Sequence, residues 1–234
     1  MSEPDATSRG DDLEAVLAHG GDDRDRRVAD AYDAVADAYA DALADELEHK
    51  PFDRWLVERM AALAGGGPVA DAGCGPGHIT AALRAAGADA HGFDFSPGMV
   101  REARDRFPGV PFAQANIRAL PAPGAGAWRA ILAWYSMVHM APSELPGVMR
   151  ALHDSLAPGG WLGFALHLGP EVRHLAAWWD RPVDVEFVLH REGEVMHAVT
   201  SADLELCESY IRSPAPEVEV ATRRLYVLAR RLEG

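Results

Sequence analysis

The sequence predicts an α/β fold with a parallel sheet. Two observations carry the prediction. Between Pro68 and Leu166 short apolar runs alternate with amphipathic segments of helix length, the pattern that βαβ crossovers require. The first run turns into its helix through Gly73, Gly75 and Gly77, which keep the turn free of side chains. A length of 234 residues suits one such domain with appendages rather than two full domains.

From the N-terminus, residues 1–24 form a polar, acidic leader expected to be disordered, with a short helix available at Leu13–Ala18. Two amphipathic helices are expected over 25–64. Val28, Tyr32, Val35, Tyr39, Leu43 and Leu47 recur at helical spacing, and Phe52, Trp55, Leu56, Met60 and Leu63 mark the second helix. Lys50-Pro51 separates the pair and Gly65-Gly66-Gly67-Pro68 ends it. The core, 65–234, then runs Pro68–Asp71, Ile79–Ala86, Ala88–Phe93, Pro97–Phe107, Val110–Ala113, Ala130–Trp134, Ser143–Ser155 and Trp161–Leu166. Ser96 is a good N-cap for the helix opened by Pro97. Leu145, Val148, Met149, Leu152 and Leu156 share one face of the helix after Pro142-Ser143, and Pro121 to Gly126 is too rich in glycine and proline for a regular element. In the last third His174–Trp179 reads as a short helix. Val183–Leu189 reads as a strand, Arg191–Thr200 as a helix, Leu204–Ile211 as a further segment and Tyr226–Arg230 as a closing strand.

The turn after the first strand points to the chemistry. It reads Asp71-Ala72-Gly73-Cys74-Gly75-Pro76-Gly77-His78. A strand turning so tightly into a helix brings backbone N–H groups and a helix N-terminus toward a ligand above the sheet. A dinucleotide fingerprint would need its third glycine at His78, which makes an NAD-dependent oxidoreductase the weakest reading. The second run ends at Asp94, roughly 20 residues beyond Gly73, where a carboxylate accepts from ribose hydroxyls or caps the helix that follows. The third run leads into Gln114-Ala115-Asn116-Ile117, the fourth is Ala130 to Ser136, and the fifth follows Leu156-Ala157-Pro158-Gly159-Gly160. Together, over residues 69–168, these segments resemble the class I S-adenosylmethionine-dependent methyltransferases.

That resemblance implies a Rossmann-like fold: a seven-stranded, mostly parallel sheet with its last strand antiparallel, helices on both faces, and N-terminal helices over the cofactor. Tyr32-Asp33-x-x-Ala36-x-x-Tyr39 is similar to a stretch in the covering helix of many small members. The implied cofactor is S-adenosylmethionine, with S-adenosylhomocysteine as product. Its implied contacts are Asp71 at the methionine amino group, Gly73, Gly75 and Gly77 in the turn, and Asp94 at the ribose with Phe95 and Met99 nearby. Asn116 and Ile117 would meet the adenine, Trp134 the methionine part, and Tyr32 and Tyr39 would close over the ligand. For the two tyrosines an aromatic stripe facing the core stays open. The chain at about 168–202 would supply the acceptor site.

Composition narrows the acceptor. A formal net charge of −14 argues against nucleic acid, which needs basic residues concentrated on one face. Lys50 is the only lysine, so a P-loop lysine, a Schiff-base lysine in the core and the paired lysines of ribose 2′-O-methyltransferases are excluded. Neither cysteine follows a proline, and Trp134-Tyr135-Ser136-Met137 stands where amino-group methyltransferases of the Asn/Asp-Pro-Pro-Tyr type carry their signature. A small-molecule partner follows, with no nucleic acid, no membrane and no metal-ligand spacing. The chain would act as a monomer or homodimer. No apolar run has membrane length and no signal-peptide core is present, which points to the cytoplasm. Two cysteines do not make a disulfide scaffold; Cys74 is expected as a small filler and Cys207 as core. The Ala- and Arg-rich composition suits a GC-rich, for example actinobacterial, bacterial source.

Methyl transfer from a sulfonium is an in-line displacement, in which the protein orients, excludes water and, for some acceptors, removes a proton. His139 and His167 follow the fourth and fifth strands and are the candidate bases, each also explicable as a polar loop residue making a structural hydrogen bond; Tyr135, at the strand end, could orient the acceptor or pack on the methionine part. Trp178, Trp179, Phe187 and Tyr210 could wall an apolar pocket, and Arg173, Arg181 and Arg212 could hold an acidic acceptor. The expected function is methylation of a small-molecule oxygen or nitrogen, in natural-product metabolism. A protein or RNA methyltransferase, or a catalytically silent cofactor-binding regulator, stands as the alternative.

Overall fold

The computed structural model describes residues 7–9, 20–124, 126–216 and 218–233. In chain order its elements are β1 (Thr7–Arg9), α1 (Gly21–Ala42), α2 (Glu46–His49), α3 (Pro51–Leu63), β2 (Pro68–Ala72), α4 (His78–Ala85), β3 (Asp89–Asp94) and α5 (Pro97–Arg106). There follow β4 (Phe112–Gln114), β5 (Trp128–Trp134), α6 (Leu145–Ser155), β6 (Leu156–Leu168), β7 (Val172–Trp178), β8 (Arg181–Val188), α7 (Glu192–Ser201), β9 (Leu204–Arg212) and β10 (Arg223–Arg231).

Seven strands form the central sheet in the order β4-β3-β2-β5-β6-β10-β9. The pairs among β2 to β6 are parallel, and β10 runs antiparallel to both β6 and β9. Strand order reverses at β2, so the crevice beyond its carboxyl end, at Asp71 and Gly73, is the natural ligand position. Side chains alternate across the pleat. Ala70, Ala72, Ile131 and Ala133 pack with Val148, Met149, Leu152, Val195 and Val199 on one face. Val69, Ala130, Leu132 and Trp134 pack with Leu56, Met60 and Leu83 on the other. Each fully buried Leu or Met contributes roughly 1.5–3 kcal/mol, so both helix layers are held by burial.

The remaining strands, β1-β7-β8, make a separate antiparallel sheet. Ala31 of α1 packs on Leu175 and Val185 of that sheet. The other side of α1 is pinned to α5: Asp33 Oδ1 accepts from Gly98 N at 2.7 Å and from Ser96 Oγ. A Cβ at Gly98 would lie 2.7 Å from Asp33 Oδ1, so the close approach depends on glycine. Among the described residues no helix is long and apolar enough to cross a membrane.

Three expectations need correction. His174–Trp179 is not a helix; His174 to Trp178 belong to strand β7 and Trp179 to the turn after it, because Val172 and Leu175 are buried opposite Val188 and Val185 of β8. Cross-strand burial overrides the helix propensity of its alanines. The leader is not wholly without structure, since Thr7–Arg9 pairs with Val172–His174 and α1 begins at Gly21, with Arg24 buried against Glu144 at 2.6 Å. The short helix expected at Leu13–Ala18 lies outside the described residues. Cys207 is exposed: the register of β9 on β10 skips it, making it the extra residue of a bulge.

Candidate functional site

Two cavities meet at the carboxyl ends of the central strands. The first, of about 160 Å³, is lined by the glycine turn with Asp71, Asp94, Phe95, Asn116, Ile117, Trp134 and His139. The second, of about 450 Å³, lies under the β7–β8 hairpin and carries Trp178, Trp179, Phe187, His167, Lys50, Arg173 and Arg224. Tyr32, Tyr39, Leu43, Glu46 and Tyr135 line both.

The three glycines have different tasks. A Cβ at Gly73 would lie 2.2 Å from Ser136 Cβ, and one at Gly77 would lie 2.6 Å from Phe112 Cζ, so both admit close packing. At Gly75 the nearest atom is Tyr39 Cε1 at 3.9 Å, and the space beside it is the first cavity. Gly77, in the left-handed region at φ +88°, starts α4 but does not line the cavity. Met99 also lies outside it, fully buried on the inner face of α5.

Of the acidic residues that line this cavity, Asp71 and Asp94 stand at the ends of β2 and β3. Asp71 accepts from Thr80 Oγ1 at 2.6 Å, while its buried Oδ1 has no hydrogen-bond partner. Burial pushes its carboxyl up to about 6. Asp94 accepts from Gly75 N at 2.7 Å and Ser96 N at 2.9 Å, so it ties the turn to the start of α5. Burial pushes it, too, up to about 6, against those hydrogen bonds. Ser136 Oγ is likewise buried and unpartnered. Unpaired buried acceptors are costly, and a ligand offering an ammonium group would satisfy Asp71. These residues fit S-adenosylmethionine. Asn116 Oδ1 accepts from Arg118 N at 2.9 Å and caps the turn that presents Ile117.

His139 and His167 are separated. His139 lines the first cavity and His167 the second. His139 Nδ1 lies 2.6 Å from the Glu186 carbonyl and must donate to it, so Nε2 accepts from the Tyr32 hydroxyl at 2.9 Å. Burial pushes His139 down to about 4. His167 Nδ1 meets Thr222 Oγ1 at 2.8 Å, and its ring stacks on Tyr135 at 4.8 Å between centroids. Burial, followed by the charges of Arg224, Lys50 and Arg173, pushes His167 down to about 3. Both rings are therefore neutral near pH 7. Tyr135 ends β5 in the left-handed region at φ +53°, a conformation costing a bulky residue of order 1–3 kcal/mol and found where function demands it. Its hydroxyl meets that of Tyr226 at 2.9 Å.

Other candidates separate as well. Tyr210 packs with Phe52 and Trp55 away from both cavities. Arg181 pairs with Asp37, and Arg212 with Asp53 and Glu219. Sequence reasoning missed Glu46, which joins His78 Nε2 at 2.7 Å and Lys50. Burial raises the Glu46 carboxyl, but those partners outweigh it and hold the group at about 2. It also missed Arg224 and the buried Asp53, which accepts from Trp134 Nε1 at 3.2 Å and Tyr226 Oη at 3.1 Å. Only the isolation of Lys50 in a lysine-free chain was a usable signal. Elsewhere His174, Asp184 and Glu186 converge, with Arg27 paired to both carboxylates at 3.1 and 3.2 Å.

Residues 69–160 match a family model described as a methyltransferase domain. Over 105 residues the chain is 46% identical to the trans-aconitate 2-methyltransferase of Methylobacterium nodulans, covering 43% of this chain and 38% of that protein. Over 149 residues it is 30% identical to the malonyl-[acyl-carrier protein] O-methyltransferase of Pseudescherichia vulneris, covering 62% and 58%. The matches thus span less than two thirds of either relative. Among solved structures, the [4+2]-cyclase SpnF superposes with a TM-score of 0.68 at 19% identity, over 90% of this chain and 97% of that one. The CcbJ methyltransferase from Streptomyces caelestis superposes with a TM-score of 0.62 at 18% identity, over 76% and 89%. At such identity these structures share the fold.

Proposed function

This chain belongs to the class I S-adenosylmethionine-dependent methyltransferases, and from that premise we propose that it methylates an oxygen of a small molecule held in the second cavity. The observation that carries the proposal is that Tyr32, Tyr39 and Tyr135 line both cavities, which puts the two side by side. S-adenosylmethionine supplies an electrophilic methyl carbon on sulfur. The chain's own residues bind, orient and exclude water.

Asp71 would take the ligand's amino group, Asp94 its ribose hydroxyls, and Asn116 with Ile117 its adenine; Trp134 and the Gly75 backbone would border the methionine part. Tyr32 and Tyr39 would cover it. Burial pushes both of their hydroxyls up, so they stay protonated and serve as donors. His139 is then a positioning residue, holding the Tyr32 hydroxyl from a neutral ring anchored on the Glu186 carbonyl. Tyr135 would align the acceptor, since it touches both cavities. Oxygen is favoured as the acceptor atom because one relative is named for O-methylation and both names denote carboxyl-bearing molecules.

A calorimetric titration with S-adenosylmethionine, S-adenosylhomocysteine and NAD tests the cofactor. Binding of the two sulfur compounds without NAD is expected. NAD binding with no response to either would refute the proposal.

A further inference from the structure

The second cavity has walls of two kinds. Trp178, Phe187, Leu175, Leu189 and Val138 make one side apolar. The other side is charged, carrying Lys50, Arg173 and Arg224 beside the carboxylates of Glu46 and Glu219. One of the anions, Glu46, is also drawn toward His78 of the first cavity. Glu219 is shared between Lys50 at 3.8 Å and Arg224 Nε at 3.1 Å, and Arg212 claims it from behind at 2.5 Å. Arg173 pairs with Glu171 at 2.6 Å. His167 sits where this charged end meets Tyr135, one of the residues common to both cavities.

We propose that the second cavity takes an apolar carboxylic acid as its anion, with Lys50 and Arg224 selecting the charge, and that the atom methylated is the carboxylate oxygen. The inference rests on the transfer reading above. The carboxylate oxygen bonds to the methyl carbon as the sulfur–methyl bond breaks, and that bond's electron pair stays on sulfur. The negative charge of the acceptor and the positive charge of the sulfonium cancel, leaving a methyl ester and a thioether. No proton has to leave. An alcohol acceptor, by contrast, would need a base, and the two candidate histidines are poorly placed for it: His139 Nε2 is occupied by Tyr32, and burial, with the cations beside it, opposes protonation of His167.

The test uses the purified full chain with S-adenosylhomocysteine bound. It is titrated at pH 7.5 with 3-phenylpropanoate, 2-naphthoate and octanoate, and with the primary amide of each, following tryptophan fluorescence. At least one acid should bind about tenfold or more tighter than its amide, and Lys50→Met should shrink that preference at least fivefold. The best-bound acid, incubated with S-adenosylmethionine, should give a product that releases methanol in alkali. Amides that bind as tightly as acids, no binding by any of the six compounds, an alkali-stable product or no product would each overturn the inference. Failure of S-adenosylhomocysteine itself to bind would instead overturn the transfer reading beneath it.

Discussion

Gly75 is where ligand binding and folding can be pulled apart. The residue sits at φ +52°, and a Cβ added there meets only Tyr39 Cε1, at 3.9 Å. Alanine therefore costs the fold little beyond the left-handed backbone, about 1–2 kcal/mol. For a chain of this size that lowers Tm by about 2–4 °C per kcal/mol. Valine adds two methyl groups inside a cavity of about 160 Å³, the place proposed for the cofactor. Cofactor affinity should fall stepwise, by about tenfold for Gly75→Ala and at least about a hundredfold for Gly75→Val, at 1.4 kcal/mol per factor of ten. Gly77→Ala is the control. Its Cβ would lie 2.6 Å from Phe112 Cζ at φ +88°. Overpacking adds about 1–3 kcal/mol to the backbone cost, yet the side chain points away from the ligand. Calorimetric titration with S-adenosylhomocysteine, beside thermal unfolding by circular dichroism, reads both quantities. Wild-type affinity in Gly75→Val would refute the reasoning, as would a folded, fully stable Gly77→Ala that no longer binds.

Asp94→Ala should weaken cofactor binding by about 1.5–3 kcal/mol, the range for hydrogen bonds to a charged group, and a 2′-deoxyribose analogue should bind wild type more weakly than the natural ligand; equal affinities would remove Asp94 from the ribose. Asp71 and Asp94 lie at about 6 in the cofactor-free protein, and a ligand donating to them favours their ionised forms. Affinity should therefore be full above about pH 7 and fall as pH drops through 6, by up to about tenfold per unit for each coupled carboxyl; a flat titration series from pH 5 to 8 would contradict this. His167→Gln should keep turnover within about tenfold, because general-base loss would cost about 10²–10⁴-fold; a larger fall in kcat, with an acid limb in the wild-type pH profile that the variant lacks, would make His167 a base. Asp53→Ala, which strips a buried acceptor from Trp134, Tyr226 and Arg212, should cost about 3–5 kcal/mol of stability, measured by denaturant unfolding; a loss below about 1 kcal/mol would mean the network is dispensable.

Local pattern made part of this protein legible. The strands β2, β3, β5 and β6 announce themselves because buried parallel strands need continuous apolar runs, and the alternating glycines because only glycine adopts φ +81° at Gly73 while Ser136 packs on it. Asp94 was legible because a carboxylate at a strand end follows from the spacing of a βαβ unit. The β7 strand was not. Its alanines favour a helix locally, and only pairing with β1 and β8 makes the segment a strand. Cys207 escaped for a similar reason, since a bulge exists only relative to the partner strand.

By itself the sequence determined the parallel strands and the glycine turn, because each follows from the periodicity or spacing of neighbours in the chain; the residues expected along the crevice came from the resemblance those segments carry. Tertiary structure alone decided which distant side chains meet. It joined Tyr32 to His139 across 107 positions and Asp53 to Tyr226 across 173. It separated the two candidate histidines into different cavities and placed the lone lysine with Arg224 in the lining of the second. Such contacts depend on how helices and the hairpin fold back over the sheet. The burial that lowers both histidines and raises both aspartates belongs to the enclosed space those elements create, and no local stretch of residues encodes it.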